Sequence, residues 1–511
     1  MTDTIIGIDA GTSMIKAVAF STSGESICRS SRKNEVLTPE PGRREQDMTD
    51  TWDATAATLR EVTEQLDDGD EVLAIGVTGQ GDGCWLVDGD GDPARDAILW
   101  SDGRADSIIE EWQAGDVNDR LYDICGGVQF PGSSLAVLLW LREHEPAAVE
   151  RAETVVFCKD WLKYRLTGVL ASDPSDMTLP YLDVETGEYA PEVFEIVGAP
   201  EFESLLPPLR DPLDVVGGMT DAAAEQTGVP AGTPVVSGLF DVPASMFGTG
   251  VSEPGEGASI VGTTSLNQVL MDEPDTSPHG VGYTLALGLG DRWSRFMASM
   301  IGTPNLDWTL EKFRYRDDPD YEAIENRAAR IPIGSEGVLY HPYLSSAGER
   351  APFLNTNARA QFVGLHPDHT EEHLVRAVYE GVALAMKDCY EHIPNTPADV
   401  YVAGGGAQSE FWCQMFADCT GAHFSVPRGQ EFGAKGAALL AGTGIGRYDD
   451  LADAIDATRT VDRTYDPVPD HSARYDELYE LYRTTYETMF DVWEKRAETL
   501  EALDAMDGAA Q

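Results

Sequence analysis

A chain of 511 residues with 42% hydrophobic content is long enough to bury two substantial cores, and 88 acidic against 36 basic residues leave a formal net charge of −52. That acidic excess runs along the whole chain and argues against nucleic acid as a partner, while no uninterrupted apolar run approaches the roughly 18 residues of a membrane span. Seven scattered cysteines with no CxxC pair indicate neither a disulfide framework nor a zinc site. The opening Met1-Thr2-Asp3-Thr4 has no basic or apolar leader character, so the chain reads as soluble and cytoplasmic. Self-repulsion of this size is tolerable where about 1 M salt shortens the Debye length to about 3 Å, which points to a salt-adapted, halophilic host.

In chain order, the apolar run Ile5–Ile8 predicts a strand that delivers Asp9 to a turn, Gly11-Thr12-Ser13, and Met14–Phe20 predicts a second strand leading out. The backbone and hydroxyls of Gly11, Thr12 and Ser13 suit phosphate oxygens, and Asp9 suits Mg²⁺ or its waters. A hairpin with a polar tip accounts for the same residues. Between Asp47 and Gly69, the spacing of Trp52, Ala56, Leu59, Val62 and Leu66 predicts an amphipathic helix capped by Thr49 or Asp50. A buried, parallel-type strand, Val72–Val77, leads to the loop Thr78–Gly83 and to a further strand, Cys84–Val87. Loops at strand ends bind ligands in such sheets, so Gln80 and Asp82 are substrate candidates, against a plain glycine-rich turn. The strand around Ala97–Trp100 ends in Trp100, Asp102 and Arg104, which offer a sugar polar groups and a ring face, or else form a buried Trp beside a salt bridge. After Pro234–Ser237, Asp241 stands near the start of a small-residue helix, as a general base for phosphoryl transfer or as a helix cap.

Roughly 250 residues after the first turn, Ala258–Leu270 repeats its pattern around Gly262-Thr263-Thr264-Ser265. Two related domains, each with such a turn, are expected to grip one polyphosphate from opposite sides of a cleft. Val400–Ala403 runs into Gly404, Gly405 and Gly406, then Ser409 and a helix, a platform for a nucleotide. The small-residue helix Gly433–Ala438 is expected to pack on the same site. Tight packing without a ligand remains the other reading of both segments. There is no P-loop and no GxGxxG opening a Rossmann unit. His366, His369 and His373 are broken by Pro367 and straddle a helix start at Thr370, which reads as a cap and turn rather than zinc. Tyr475, Leu478, Tyr482, Tyr486, Met489 and Trp493 recur at helical spacing, as core or docking surface.

Together these segments resemble the FGGY family of carbohydrate kinases, of the actin-like ATPase superfamily, over nearly the whole chain. Ala360–Leu365 followed by His373–Glu380 is similar to the family's C-terminal signature, as are Gly348–Pro352 and the turn Pro41–Asp47 to other family elements. The resemblance implies an α/β fold of two actin-like, ribonuclease H-like domains, residues 1–250 and 251–511, with a duplicated core and with nucleotide and sugar in the interdomain cleft. It implies ATP-dependent phosphorylation of a sugar or polyol hydroxyl. Asp9 would organise Mg²⁺, and Thr12, Ser13 and Lys16 would lie near the phosphates. Thr263 and Thr264 would meet them from the second domain, Gly405, Gly406 and Ser409 would lie near the nucleoside, and Asp241 would be the base. Glycerol kinases of the family carry Arg-Glu after the substrate-loop Gln and D-xylulose kinases carry Met-His. Here the pair is Gly81-Asp82, which with Gly238–Val242 is similar to the branch acting on L-xylulose, 3-keto-gulonate or erythritol. A glycerol kinase, and an actin-like ATPase with no need of a sugar loop, are the competing expectations. No segment marks an interface, and a homodimer is left open.

Overall fold

The computed structural model describes residues 2–313 and 319–508; residues 1 and 511, where the expected domains begin and end, lie outside them. Contacts divide the chain into two compact units: Met1–Pro254 with Leu270–Arg295 and Gly429–Thr460, and Gly255–Val269 with Phe296–Arg428 and Val461–Gln511. The units therefore interleave along the chain instead of following one another as consecutive halves.

Unit 1 is built on a six-stranded sheet. In chain order its strands are β1 (Asp3–Ala10), β2 (Met14–Ser21), β3 (Ser26–Lys33), β4 (Glu45–Gln46), β5 (Glu71–Gly79), β6 (Trp85–Asp88), β7 (Ala97–Ile98), β8 (Ala152–Val156), β9 (Val215–Gly218) and β10 (Pro234–Val236). The main sheet has the order β3-β2-β1-β5-β10-β9, and β4 pairs with β7 and β6 with β8 outside it. Ile5, Ile6, Ile8, Ala74, Ile75 and Val77 are all buried, the near-continuous apolar pattern of strands covered on both faces. The helix Met48–Thr63 buries Trp52, Ala56, Leu59 and Val62 against this sheet. Its cap is Asp47 and not Thr49 or Asp50: Asp47 keeps an extended backbone outside the helix, and its Oδ1 accepts from Thr49 N at 2.7 Å and Asp50 N at 3.0 Å.

The helix Phe432–Gly444 belongs to unit 1, so the expectation that Gly433–Ala438 packs on the nucleotide platform is corrected. It lies on β1 and β5 at glycine contacts: Gly7 faces the Ala434 carbonyl, Gly76 that of Ala437, Gly248 that of Phe432, and Gly436 that of Ala244. A Cβ at any of these would overlap a backbone oxygen, which cannot swing away. For Gly436→Ala, the helix-propensity gain of ~1 kcal/mol is outweighed by overpacking of ~1–3 kcal/mol or more. The variant is expected to unfold at lower urea than the parent, read by circular dichroism.

In unit 2, β11 (Gly257–Val261) and β12 (Ser265–Met271) form an antiparallel hairpin, and β11 pairs in parallel with β17 (Asp399–Ala403). Between β12 and β17 in the chain come β13 (Tyr283–Ala286), which lies in the Leu270–Arg295 segment of unit 1, then β14 (Trp293–Ser299), β15 (Leu339–His341) and β16 (Gln361–Val363). β17 pairs in parallel with β18 (His423–Pro427), and β18 antiparallel with β19 (Val461–Tyr465). The succession antiparallel, parallel, parallel, antiparallel through β12-β11-β17-β18-β19 repeats that of β2-β1-β5-β10-β9. The echo of the two Gly-Thr turns is thus part of a duplicated core.

Thr370 caps the helix Glu371–Glu391, with His373 Nδ1 accepting from the Thr370 N–H at 3.1 Å, so this histidine is used for capping. Among the described residues the grouping of metal-ligating side chains is Asp160, Asp173 and Asp176, not the three histidines. Tyr475, Tyr482, Tyr486 and Trp493 are buried in unit 2, with His341 Nε2 3.0 Å from the Tyr482 carbonyl. Among the described residues no helix is long and apolar enough to cross a membrane.

Candidate acceptor and nucleotide sites

The β1–β2 turn closes with Gly11 N donating to the Met14 carbonyl at 3.0 Å, and Asn34 holds its flank through Nδ2 to Gly11 O at 3.1 Å. Pairing of β4 with β7 brings Gln46 and Trp100 to this turn. Thr12 Oγ1 donates to Gln80 Oε1 (2.8 Å), Gln80 Nε2 to Gln46 Oε1 (2.7 Å), and Gln46 Nε2 to the Thr12 carbonyl (2.7 Å), a closed ring of side-chain amides and turn. Trp100 Nε1 donates to Thr12 Oγ1 at 3.0 Å, leaving its ring 37% exposed. Trp100 thus offers a partly exposed apolar surface beside the buried amides of Gln46 and Gln80, which fix the loop through their own hydrogen bonds. Gln46 escaped sequence reading, although a buried-strand glutamine directly before a helix cap was its signal.

Asp102 does not share this exposure. Its Oδ2 accepts from Arg44 N (2.6 Å) and Arg104 Nη2 (2.9 Å), and its Oδ1 from Arg104 N and Nε (both 2.8 Å). Buried and occupied on both oxygens, it fixes the backbone after Trp100.

Asp241 is the first residue of the helix Asp241–Thr249, whose cap is Phe240 with no side-chain cap bond, and its carboxylate accepts from the Val242 N–H. The loop before it is tied down at three residues. Thr78 Oγ1 donates to the Leu239 carbonyl at 2.7 Å, Phe240 N to Ser175 Oγ at 2.9 Å, and Lys163 Nζ to Ser237 Oγ at 3.4 Å. Gly238 has φ of +77°, and a Cβ there would overlap the Val77 carbonyl. Burial pushes the Asp241 carboxyl well above the usual range, reinforced by Asp9, Asp176 and Asp82. Asp9 is pushed up to about 6, chiefly by burial, against the lowering effect of Lys16. Lys16 itself pairs with Glu431 at 2.8 Å. Asp82 follows Gly81 with φ of +55°, a strained backbone for a non-glycine.

Beneath these residues lies an ion network that sequence reading missed. The fully buried Lys159 ammonium contacts Asp160 at 2.8 Å, Asp176 at 2.6 Å and Asp173, and Lys163 contacts Asp160 at 3.0 Å. The ammonium occupies the centre of the three carboxylates that could otherwise hold a metal. Ser175 Oγ joins Asp173 (2.5 Å) to Phe240 N, so the network reaches the Asp241 loop. Its signal was a charged pair, Lys159-Asp160, inside the apolar run from Val155 to Leu162.

In unit 2 the Gly262-Thr263-Thr264 turn is exposed or half-buried at its tip, closes through Gly262 N to Thr264 O (2.9 Å) and is clasped by Gly302 N to Thr263 O and Thr303 N to Gly262 O. Thr303 also lines a cavity of about 890 Å³, together with Asp307, Tyr321, Glu325, Asn326, Gly405, Gln408, Ser409 and Phe411. Of the expected nucleoside residues, Gly405 and Ser409 line it, and Gly406 is buried against Val261. Ser409 Oγ accepts from Trp412 N at 2.9 Å as the cap of the helix Glu410–Thr420. The wall formed by Thr303, Asp307, Tyr321, Glu325 and Ala329 carries no motif, which is why it was not anticipated.

The N-terminal domain of the FGGY family of carbohydrate kinases matches residues 4–248, and its C-terminal domain matches residues 257–445. The chain belongs to the FGGY family. It is an ATP-dependent carbohydrate kinase. An erythritol kinase of Brucella abortus (strain 2308) is 34% identical over 97% of this chain and 98% of its own. The L-xylulose/3-keto-L-gulonate kinase of Escherichia coli (strain K12) is 30% identical over 94% and 96%. Among solved structures, a gluconate kinase from Lactobacillus acidophilus superposes with a TM-score of 0.91 over 97% of this chain and 100% of its own at 24% identity. A xylulose kinase from Rhodospirillum rubrum gives 0.88 over 96% and 100% at 26% identity. The FGGY fold accounts for the two repeated cores described above.

Proposed function

We propose that this kinase phosphorylates a hydroxyl of a four- or five-carbon polyol or ketose, of the erythritol or xylulose type. The observation that carries the reading is the Thr12–Gln80–Gln46 ring with Trp100 beside it: oriented amides and a ring face with no guanidinium among them, next to Asp241. Its relatives named for erythritol and L-xylulose support the same class. Unit 1 binds the acceptor through Gln80, Asp82 and Trp100. Unit 2 holds the nucleoside at Gly405 and Ser409, with Gly406 fixing the platform behind them, and the Gly262–Thr264 turn, like Gly11, Thr12, Ser13 and Lys16, serves the phosphates.

Asp241 takes the proton from the acceptor hydroxyl as that oxygen bonds to the γ-phosphorus and the bond to the bridging β,γ-oxygen breaks, releasing ADP. Its raised proton affinity, set by burial, suits proton acceptance. Asp9, a carboxylate whose pKa burial raises to about 6, offers oxygen ligands of the kind Mg²⁺ takes. When bound, Mg²⁺ neutralises polyphosphate charge. Asp9 would hold it directly or through water.

The test is ADP release with ATP and a panel of erythritol, L-xylulose, xylitol, gluconate and glycerol in high-salt buffer. Strong stimulation by one four- or five-carbon acceptor is expected; equal turnover with every acceptor and with none would favour a non-metabolic ATPase. Asp9→Asn is expected to raise the Mg²⁺ concentration for half-maximal activity by ~10-fold or more. An unchanged Mg²⁺ titration would remove Asp9 from the metal site.

A further inference from the structure

Gly81 sits in the acceptor loop between Gln80 and Asp82 and has no room for a side chain. A Cβ there would lie 2.6 Å from Phe240 Cδ2, overlapping Cε2 as well, and 2.8 Å from Asp176 Oδ1. The Phe240 ring therefore fills the volume that a side chain at position 81 would take. Phe240, the residue before Asp241, is half-buried, in contrast to the fully buried Leu239 before it.

The backbone that carries the ring is fixed. The Phe240 N–H is held by Ser175, the preceding carbonyl by Thr78, and Gly238 packs on Val77. The Asp176 side chain is 1% exposed, and its Oδ1 has no hydrogen-bond partner while Oδ2 is paired with Lys159. Asp176 thus crowds the same Cβ position as the ring and is itself anchored by Lys159.

We propose that Phe240, backed through Gly81 by Asp176, is the wall that selects the acceptor by size, a role that rests on the kinase reading above. The apolar ring faces the carbon chain of the acceptor while Gln80 and Asp82 meet its hydroxyls. A small group gained or lost against such a wall changes kcat/KM by ~10–200-fold.

The experiment measures kcat/KM for erythritol, L-xylulose and gluconate, and KM for ATP, in the wild type, Phe240→Ala, Gly81→Ala and the double variant, with thermal melts of each. Phe240→Ala is expected to shift preference toward the longer acceptors by ~10-fold or more with KM for ATP unchanged. Gly81→Ala, which drives the ring into the acceptor space, is expected to lose ~50-fold or more in kcat/KM, and Phe240→Ala in the same chain to restore most of it. The proposal is overturned if Phe240→Ala keeps the wild-type ratio among acceptors, or if the double variant is no better than Gly81→Ala. A wild type that phosphorylates none of the acceptors overturns the four- or five-carbon reading above, and an active wild type with unshifted variants overturns the wall alone.

Discussion

Asp241→Asn is expected to lower kcat by ~10²–10⁴-fold while the affinity for ATP, read by equilibrium binding, stays within about twofold of the wild type. The amide keeps the shape of the carboxyl and its place at the start of the helix Asp241–Thr249, so the loss isolates proton transfer. Retained activity would remove Asp241 as the base. The effect should be confined to turnover for a structural reason. The loop Ser237–Phe240 is held by Lys163, Thr78 and Ser175, none of which depends on the Asp241 side chain.

The second large effect concerns stability. Lys159→Met deletes the ammonium among Asp160, Asp173 and Asp176 in a site with no solvent access and leaves carboxylates to be protonated or to repel. Breaking one side of a buried ion network costs about 3–5 kcal/mol, against only ~1–3 kcal/mol for overpacking at Gly436. Unfolding of Lys159→Met should therefore begin at clearly lower urea than that of Gly436→Ala. Adding Asp173→Asn to Lys159→Met should recover part of the loss, since the orphaned charge is then gone. A Lys159→Met protein as stable as the wild type would show that the network contributes nothing.

What could be read from the chain was what local pattern carries. Alternating and continuous apolar runs place β1, β2, β5 and β11, and the repeated Gly-Thr turn announces a duplicated core, now visible as the same succession of strand pairings in both units. Asp9, Gln80 and Asp241 stand at strand ends, where sequence can find them. The rest depends on partners far away in the chain. Gln46 meets Gln80 only because β4 pairs with β7, and Asp102 is withdrawn from the pocket by Arg44, 58 residues earlier. The unit 2 cavity takes one wall from Thr303, Asp307, Tyr321 and Glu325, which form no motif, and the small-residue helix after Glu431 packs on β1 and β5. Spacing within a segment says that a helix has a bare face but not which surface will meet it.

That helix also dictates when unit 1 can be finished during synthesis. Gly7 waits for Ala434 and Gly76 for Ala437, so the first strand to leave the ribosome lacks its covering layer until more than four hundred further residues have been made. Sheets closed by such distant pairings fold slowly and expose apolar strands in the meantime. A fragment cut at the end of the N-terminal family match, residue 248, would hold Asp9, Gln80 and Asp241 yet leave one side of β1 and β5 bare, and it is expected to aggregate unless residues 429–460 are supplied with it.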